Sequence, residues 1–230
     1  MSCLVVSHNK PELLDEALGT IVIQDMVDWE AIVMDSAYLF DSGYFFRRAW
    51  SKDKRIKVYK SGENDHLRQQ KAMAPWCFNE CFRRNLVMGE LVTYLCDDDV
   101  LYPHAFSTFV NFAAAHPRAM AMYASQDAGA VFPDGTRQII GERRAVGMGG
   151  KCCAGRQMDC QVDYGQFCHR RLVIKGMRGN PEYWPENKAS GFHADGLFME
   201  KVGAMYPIYP IDVKVGVNRR TPQSMYAPTK

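Results

Sequence analysis

Residues 91–99 read Leu-Val-Thr-Tyr-Leu-Cys-Asp-Asp-Asp. The first five of them, 91–95, are the strongest strand pattern in the chain, because they form a short apolar run rich in β-branched and aromatic side chains. The run leads into the carboxylates of Asp97, Asp98 and Asp99. Three adjacent like charges at the end of a buried strand repel one another, so the pattern indicates a positive partner at this point of the chain.

A divalent cation is the partner that fits these carboxylates. Oxygen ligands suit Mn²⁺ or Mg²⁺, and Mg²⁺ prefers one or two carboxylates together with phosphate oxygens to a cage made wholly of protein. The stretch therefore predicts a metal shared with the diphosphate of a substrate. The alternative is a solvated acidic turn that caps a helix beginning near Pro103.

Two earlier apolar runs also end in polar side chains. Residues 4–6 lead into Ser7 and Asn9, and residues 31–34 lead into Asp35. In open parallel sheets ligands bind beyond the carboxyl ends of the strands, so we expect these groups and the acidic stretch at one edge of the sheet. For Asp35 taken alone, a turn former or helix cap is the alternative.

Strand patterns alternate with helical patterns along the chain. Pro11 suits the first position of a helix, and apolar residues then recur at helical spacing as far as Val22. Gly89 is expected to end a second helix that begins near residue 77. This alternation predicts an α/β fold, in which one mostly parallel central sheet carries helices on both faces. The other expected elements are helices over 103–113 and 197–205, strands over 56–59, 120–123 and 213–217, and a hairpin turn over 131–136.

Length and composition are those of an ordinary globular domain. The chain has 230 residues, of which 47% are hydrophobic and 23% are charged, and its formal net charge is +2. These values favour a single domain with an irregular C-terminal region. The basic residues are scattered, so nucleic-acid binding has no support. The apolar start is too short for a signal peptide or a membrane span, so we expect a cytoplasmic protein without a membrane span.

The cysteines pose a separate question. The chain has 8 of them, too few and too irregularly spaced for a secreted disulfide scaffold. Cys152, Cys153, Cys160 and Cys168 with His169 form the group to weigh as zinc ligands. The Cys-x-x-Cys pairing of structural zinc sites is absent there, so free thiols are favoured over a zinc site.

Together these segments resemble the glycosyltransferases of the GT-A fold, and particularly their large family 2. Residues 4–14 are similar to that family's opening strand, turn and helix, 29–36 to its second strand, and 89–103 to its metal-binding segment. The resemblance implies a single Rossmann-like GT-A domain. Within it, residues 1–125 form a nucleotide-sugar-binding half and residues 126–230 an acceptor-binding half.

The resemblance implies a role for each group that contacts the nucleotide. Ser7 and Asn9 line the base and the ribose, and Asp35 accepts a hydrogen bond from the base. Asp97 approaches the ribose, and Asp98 is shared between the nucleotide and the metal.

The resemblance also implies that Asp98 and Asp99 hold the Mn²⁺ or Mg²⁺, with Asp99 as the first choice for a direct ligand. Cys96 stands where the family commonly has an acidic residue, and Cys81 stands where many members have Asn. A thiol is a poor ligand for Mg²⁺, so the place of Cys96 adds nothing to such a site.

Two further segments resemble the acceptor side of the family. Residues 193–195 open a helix and are similar to the segment whose aspartate is the catalytic base, which assigns that role to Asp195. Residues 163–171 look like another edge of the site, with Asp163 as the alternative base. The other interpretation of 163–171 is a helix start with an exposed basic face.

The end of the chain supplies the remaining assignments. Residues 217–222 resemble the family's final strand and loop, which assigns Arg219 and Arg220 to the donor. Thr221 stands where the family often has His. Two glycine-rich segments without a consistent period, 141–159 and 176–191, are expected to order over the bound donor.

The function implied is a metal-dependent glycosyltransferase that moves a sugar from a nucleotide-diphosphate donor, a UDP-sugar, to an acceptor hydroxyl with inversion. The acceptor is a glycan, a lipid-linked glycan, a protein or a small molecule. Two alternatives stand beside it. One is a nucleotidyltransferase that makes a nucleotide sugar, and the other is a non-catalytic nucleotide-sugar-binding protein of the same fold.

Overall fold

The computed structural model describes residues 1–36, 47–62, 69–145, 162–177 and 182–222, and for residues 190–192 the backbone alone. Within these ranges, 9 strands form one sheet. They are β1 (Ser2–Ser7), β2 (Glu30–Asp35), β3 (Ile56–Lys60), β4 (Leu91–Cys96), β5 (Val100–Leu101), β6 (Ala121–Val131), β7 (Arg137–Arg143), β8 (Phe167–Arg170) and β9 (Ile208–Arg220).

The strand order is β3-β2-β1-β4-β8-β6-β9-β5, with β7 paired to β6. The first four strands in this order are parallel neighbours. β8 runs antiparallel to β4 and β6, whereas β9 runs parallel to β6 and antiparallel to β5. The predicted α/β fold class is confirmed.

Five α-helices pack around this sheet in the described ranges: α1 (Pro11–Val22), α2 (Met73–Arg83), α3 (Ala105–Ala115), α4 (Leu172–Gly176) and α5 (Ala194–Met205). α1 begins at Pro11 as predicted, because proline's fixed φ suits the first helical position and its missing N–H donor costs nothing there. The buried side chains of α1 recur three or four residues apart, which gives the helix one apolar face.

The core lies on both faces of the sheet. Neighbouring side chains of a strand point to opposite faces, so β1 contributes to both regions. Leu4 packs with side chains of α2 and α5 on one face. Val5 packs with side chains of α1 and α3 on the other face. Helices therefore cover both faces, as the sequence predicted.

The hairpin of β6 and β7 also follows the prediction. Gly135 has φ +83°, a left-handed conformation that glycine adopts without strain. Its N–H donates to the carbonyl of Phe132 at 2.9 Å, which closes the turn between the two strands.

Two helical predictions are wrong. α2 ends at Arg83 and does not continue to Gly89, because Asn85 adopts φ +51° and turns the chain out of the helix. The helix start considered for residues 163–171 is no more than one 3-10 turn capped by Asp163, and the exposed basic face is wrong, because His169 is buried and Arg170 and Arg171 are half-buried. A short 3-10 turn, Tyr164–Gln166, leads there into the buried strand β8.

The C-terminal region contains more regular structure than expected. β9 is longer than the predicted strand over 213–217, because its parallel pairing with β6 extends in both directions. The expected loop over 141–159 begins within β7, and its residues 146–159 lie outside the described ranges. The segment 176–191 includes the start of another 3-10 turn, Lys188–His193, and its residues 178–181 lie outside the described ranges too. Among the described helices, none is long and apolar enough to span a membrane.

Candidate functional site

The carboxyl ends of β1, β2 and β4 meet at one edge of the sheet. Ser7 lies opposite Asp35 in the pairing of β1 with β2. Val6 lies opposite Cys96 in the pairing of β1 with β4, so Asp97 follows directly beside the end of β1. The structure therefore brings together the three strand ends that the sequence singled out.

The three carboxylates after β4 are buried. Asp97, Asp98 and Asp99 are 3%, 6% and 1% exposed. The nearby helix α3 begins at Ala105, and the residue that precedes it, His104, makes no capping hydrogen bond through its side chain. The alternative of a solvated acidic turn that caps this helix is therefore wrong.

The loop after β1 contacts the first two carboxylates. The backbone N–H of His8 donates to Asp97 Oδ2 at 2.6 Å. The Lys10 ammonium lies 2.5 Å from Asp98 Oδ2 and 3.5 Å from Asp97 Oδ1. Asn9, between them, is exposed and has φ +55°, a left-handed conformation that Asn tolerates better than most residues. This conformation turns the chain between β1 and α1.

Asp99 faces a different set of partners, at the far side of the acidic loop. Its carboxylate accepts from the backbone N–H of Arg219 at 2.7 Å and from the Asn218 side-chain amide at 3.2 Å. The same Asn218 nitrogen lies 3.3 Å from Asp163 Oδ2. Arg143 lies 3.4 Å from that oxygen. One amide therefore links Asp99 to Asp163, which the sequence had proposed only as an alternative base.

Burial and neighbouring negative charges disfavour the charged forms of Asp97 and Asp99. Burial raises the pKa of Asp97 to about 6, although the Lys10 ammonium acts in the opposite direction. Burial raises the pKa of Asp99 well above its ordinary value, and the negative charges of Asp98 and Asp163 raise it further. Among the described residues, the carboxylates of this site, those of Asp97, Asp98, Asp99 and Asp163, outnumber the basic side chains that contact them. This excess fits a cation, because a bound cation would stabilise the ionised carboxylates.

One oxygen each from Asp97 and Asp98 and the Cys96 sulfur lie within 4.8 Å of one another. Burial raises the pKa of the Cys96 thiol well above its ordinary value, and the neighbouring carboxylates raise it further. A protonated thiol is not a metal ligand, so the oxygens are the donors to consider. The predicted ligand Asp98 belongs to this group, whereas the other predicted ligand, Asp99, points towards Asn218 and Arg219.

Arg219 and Arg220, both predicted to contact the donor, differ in position. Arg219 is 7% exposed, and its guanidinium contacts the carbonyl of Asp98 and, at 2.5 Å, Glu16 Oε2 of α1. Its Nη2 is buried and has no hydrogen-bond partner among the described residues. Arg220 is exposed. Arg219 therefore supports the acidic loop and keeps one donor unused.

Ser7 and Asp35 line the other side of this edge. The Ser7 hydroxyl is buried and also lacks a hydrogen-bond partner among the described residues. Asp35 is buried, and its carboxylate pairs with the Lys60 ammonium at the end of β3. Buried polar groups are nearly always hydrogen-bonded, so the unpartnered hydroxyl at the end of β1 and the unpartnered guanidinium nitrogen of the arginine that contacts the Asp98 carbonyl indicate places for a polar ligand.

Asp195 is half-buried in the first turn of α5. The N-cap of this helix is His193, so Asp195 is not the capping residue. Tyr164 connects it to the acidic loop. Burial raises the pKa of the Tyr164 phenol well above its ordinary value, and the charges of Asp163, Asp99 and Asp195 each raise it further. Asp195 therefore lies within electrostatic reach of the same tyrosine as the acidic loop.

Of the group considered as zinc ligands, the two described residues, Cys168 and His169, do not come together. Cys152, Cys153 and Cys160 lie outside the described residues. Cys168 and His169 are successive residues of β8 and belong to opposite faces of the sheet. Cys168 packs in the core region of α1 and α3, whereas His169 Nε2 lies 2.6 Å from the Tyr94 hydroxyl on the other face. These two side chains cannot bind one zinc ion.

No family model matches the sequence. The chain is 24% identical to protein CgeD of Bacillus subtilis over 225 residues, which are 97% of this chain and 51% of that protein. It is also 31% identical to the GalNAc(5)-diNAcBac-PP-undecaprenol beta-1,3-glucosyltransferase of Campylobacter jejuni. That alignment spans 118 residues, which are 49% of this chain and 34% of that enzyme. The chain thus spans about half of the first relative's length and about a third of the second's.

Solved structures resemble this chain over almost its whole length. S. aureus TarS superposes with a TM-score of 0.69 at 14% identity, over 96% of this chain and 37% of TarS. TarS 1–349 in complex with UDP-GlcNAc superposes with a TM-score of 0.63 at 15% identity, over 95% of this chain and 58% of the other.

A mannosyltransferase from Pyrobaculum calidifontis, in complex with GDP-Man and Mn²⁺, superposes with a TM-score of 0.58 at 17% identity. The alignment covers 94% of this chain and 56% of that one. The architecture and these neighbours together confirm the resemblance stated from the sequence: the chain has the GT-A fold of glycosyltransferases.

Proposed function

We propose that this chain is a glycosyltransferase that moves a sugar from a UDP-sugar, bound with Mn²⁺ or Mg²⁺, to an acceptor hydroxyl. The observation that carries the proposal is the composition of one edge of the sheet. Three buried carboxylates follow β4 there, and among the described residues the Ser7 Oγ at the end of β1 and the Nη2 of Arg219, whose guanidinium contacts the Asp98 carbonyl, are buried and have no hydrogen-bond partner. A metal-bound nucleotide diphosphate would satisfy all three features, because it brings a cation, hydroxyl groups and phosphate oxygens.

The uridine part of the donor is assigned to the ends of β1 and β2. Ser7 has an unused hydroxyl, and Asn9 is exposed in the turn that follows. Asp35 lies next to Ser7 in the sheet and can accept from an N–H of the base. The structural neighbour TarS has been solved with UDP and with UDP-GlcNAc, which supports uridine as the nucleoside.

The diphosphate is assigned to the acidic loop, with Asp98 and Asp99 as the residues that hold the metal. These residues would hold a cation that, when bound, would supply positive charge to the departing diphosphate. Arg219 Nη2 is the buried donor available to a phosphate oxygen, and the exposed Arg220 adds positive charge nearby. Asp97 holds the β1–α1 loop through the N–H of His8 and remains the candidate for a ribose contact.

Asp195 is the proposed base, which takes the proton of the acceptor hydroxyl as that oxygen attacks the sugar. Asp163 is the alternative base, and its carboxylate contacts Arg143, Asn218 and the N–H of Gly165. A single direct displacement inverts the anomeric centre. The acceptor-binding half is assigned to residues 126–230, and the acceptor class is a glycan, a lipid-linked glycan, a protein or a small molecule.

Calorimetric titration with UDP tests the donor and the metal together. We expect UDP to bind at least about tenfold more tightly with Mn²⁺ than with EDTA, because the cation reduces the repulsion between the diphosphate and the carboxylates of the acidic loop. Asp99→Asn is the matched variant, because it keeps the side-chain size and removes one charge. It should remain folded and lose most of the Mn²⁺ effect.

Each contrary result removes a defined part of the proposal. Equal UDP affinity with Mn²⁺ and with EDTA contradicts the metal assignment. A strong preference for GDP over UDP removes the role of Asp35 in selecting uracil. Metal-dependent UDP binding without hydrolysis of any UDP-sugar favours the alternative of a non-catalytic binding protein.

A further inference from the structure

Lys10 occupies an unusual place for a basic residue next to a candidate metal site. It is the last residue before α1, and its side chain is 18% exposed. Its ammonium lies 2.5 Å from Asp98 Oδ2 and 3.5 Å from Asp97 Oδ1. These are the two acids that each bring an oxygen within 4.8 Å of the other and of the Cys96 sulfur. Among the described residues, Lys10 is thus a basic side chain in direct contact with the carboxylate of Asp98, one of the two proposed metal ligands.

The ammonium and a divalent cation held by Asp98 would compete for the same oxygen, Asp98 Oδ2. Lys10 Nζ contacts Asp98 Oδ2 at hydrogen-bond distance, so a metal bound to this oxygen displaces the ammonium or is excluded by it. The long, flexible lysine side chain can make this movement without any change in the backbone. Arg219 cannot exchange in the same way, because Glu16 and the carbonyl of Asp98 hold its guanidinium.

The displaced ammonium would have a second partner nearby, the diphosphate of the proposed donor. Lys10 precedes the N-terminus of α1, a 12-residue helix whose first N–H groups favour anions. The diphosphate proposed above would lie between this helix end and the acidic loop. A released Lys10 ammonium would thus remain beside the phosphate oxygens, with its positive charge directed at the donor.

We propose that Lys10 is a positioning residue that neutralises the acidic loop in the free protein and exchanges its place there for the divalent cation when the donor binds. The ammonium then contacts the diphosphate. Only the second half of this inference, the contact of the ammonium with the diphosphate, rests on the proposed function. The first half concerns metal and protein alone, and it predicts that the free protein binds the metal weakly until the diphosphate provides Lys10 with another partner.

Binding of Mn²⁺ without nucleotide, measured by electron paramagnetic resonance, tests the first half. Lys10→Met should bind Mn²⁺ about tenfold more tightly than the wild type, because the competing charge is removed. Lys10→Arg keeps the charge and should bind as weakly as the wild type. Lys57→Met is the control for net charge. Lys57 lies near the start of β3, and its ammonium is 2.9 Å from the carboxylate of Glu30. Equal Mn²⁺ affinity in Lys10→Met and the wild type overturns the exchange.

Titration of UDP at saturating Mn²⁺ tests the second half. Lys10→Met should bind UDP about tenfold more weakly, whereas Lys57→Met should match the wild type. An unchanged UDP affinity in Lys10→Met overturns the diphosphate contact. If the wild type itself binds no UDP, the proposed function fails, and the Mn²⁺ measurement without nucleotide still decides the exchange.

Discussion

One group of buried polar side chains lies around strand β4 and another directly follows the strand, and the two differ in whether their hydrogen bonds are complete. Within the strand, the Tyr94 hydroxyl lies 2.6 Å from His169 Nε2 and accepts from Trp184 Nε1 at 3.4 Å. His169 Nδ1 donates to the carbonyl of Arg170 at 2.8 Å, so Nε2 is the acceptor for the tyrosine. This aromatic network is neutral, and each of its polar atoms has a partner.

The group at the end of β4 is unbalanced. Three buried carboxylates follow one another there, and the nearby Ser7 hydroxyl and Arg219 Nη2 have no partner among the described residues. An isolated protein gains nothing from this arrangement, because crowded buried charges and unpaired donors both cost stability. The contrast shows where the chain completes its own hydrogen bonding and where a ligand is needed to complete it.

The largest expected effect concerns Asp195, on the functional side of this comparison. Asp195→Asn keeps the size and polarity of the side chain and cannot take a proton from the acceptor. We expect turnover to fall by roughly two to four orders of magnitude, the usual contribution of a positioned base. The melting temperature and the affinity for UDP with Mn²⁺ should stay unchanged.

Hydrolysis or transfer from a UDP-sugar, measured beside thermal unfolding, checks this expectation. Near-normal turnover in Asp195→Asn would return the residue to a structural role. Asp163→Asn is then the next variant to measure, because Asp163 is the other acid of the C-terminal half that lies near Tyr164.

The second effect concerns His169, in the neutral network. Burial lowers the pKa of His169 to about 4, from an ordinary value of 6.5. Between these two pH values the unfolded imidazole is protonated and the folded one is not, so the free energy of unfolding decreases as the pH falls. The stabilisation is complete above about pH 6.5, and the loss by pH 4 amounts to about 3 kcal/mol.

Denaturant unfolding from pH 7 to pH 4 measures this loss, with His169→Gln as the reference. Asp97 opposes the trend, because its raised folded-state pKa of about 6 favours the folded protein in acid. The difference between the wild type and His169→Gln cancels that contribution, since both proteins contain Asp97. Parallel pH profiles for the two proteins would contradict the assignment of a neutral, buried His169.

The two groups also differ in how far the sequence predicted them. The acidic loop follows from local pattern, because an apolar run that ends in three carboxylates needs no knowledge of the rest of the chain. The helices on both faces and the hairpin turn at Gly135 follow from periodicity and turn residues in the same way. These features are decided by residues that are close in sequence.

The contacts that the sequence missed join distant segments. Asn218 links Asp99 to Asp163 across separations of 119 and 55 residues, and it depends on how β9 lies beside β6 and the turn before β8. His169 was considered with the cysteines, although it belongs to an aromatic core that includes Trp184, and strand alternation at Cys168 and His169 was the signal available. Strand pairing, which no local pattern determines, decided the first case, whereas alternation along β8 would have been enough for the second.

The smallest effects come from deleting one hydroxyl in each group. Tyr94→Phe leaves His169 Nε2 buried without a donor, so the free energy of unfolding should fall by about 1–3 kcal/mol. Ser7→Ala removes a hydroxyl that has no partner among the described residues, so stability should change by less than about 0.5 kcal/mol.

UDP binding should respond in the reverse order. In the presence of Mn²⁺, Ser7→Ala should weaken the binding of UDP about three- to tenfold, which corresponds to the loss of one hydrogen bond. Tyr94→Phe should leave the affinity for UDP unchanged. Chemical denaturation and calorimetry on the same two variants measure both quantities. A clear loss of stability in Ser7→Ala with unchanged UDP affinity would mean that the Ser7 hydroxyl already has a structural partner. The edge of the sheet at β1 would then be as complete as the interior of β4, and the nucleoside would have to be placed elsewhere.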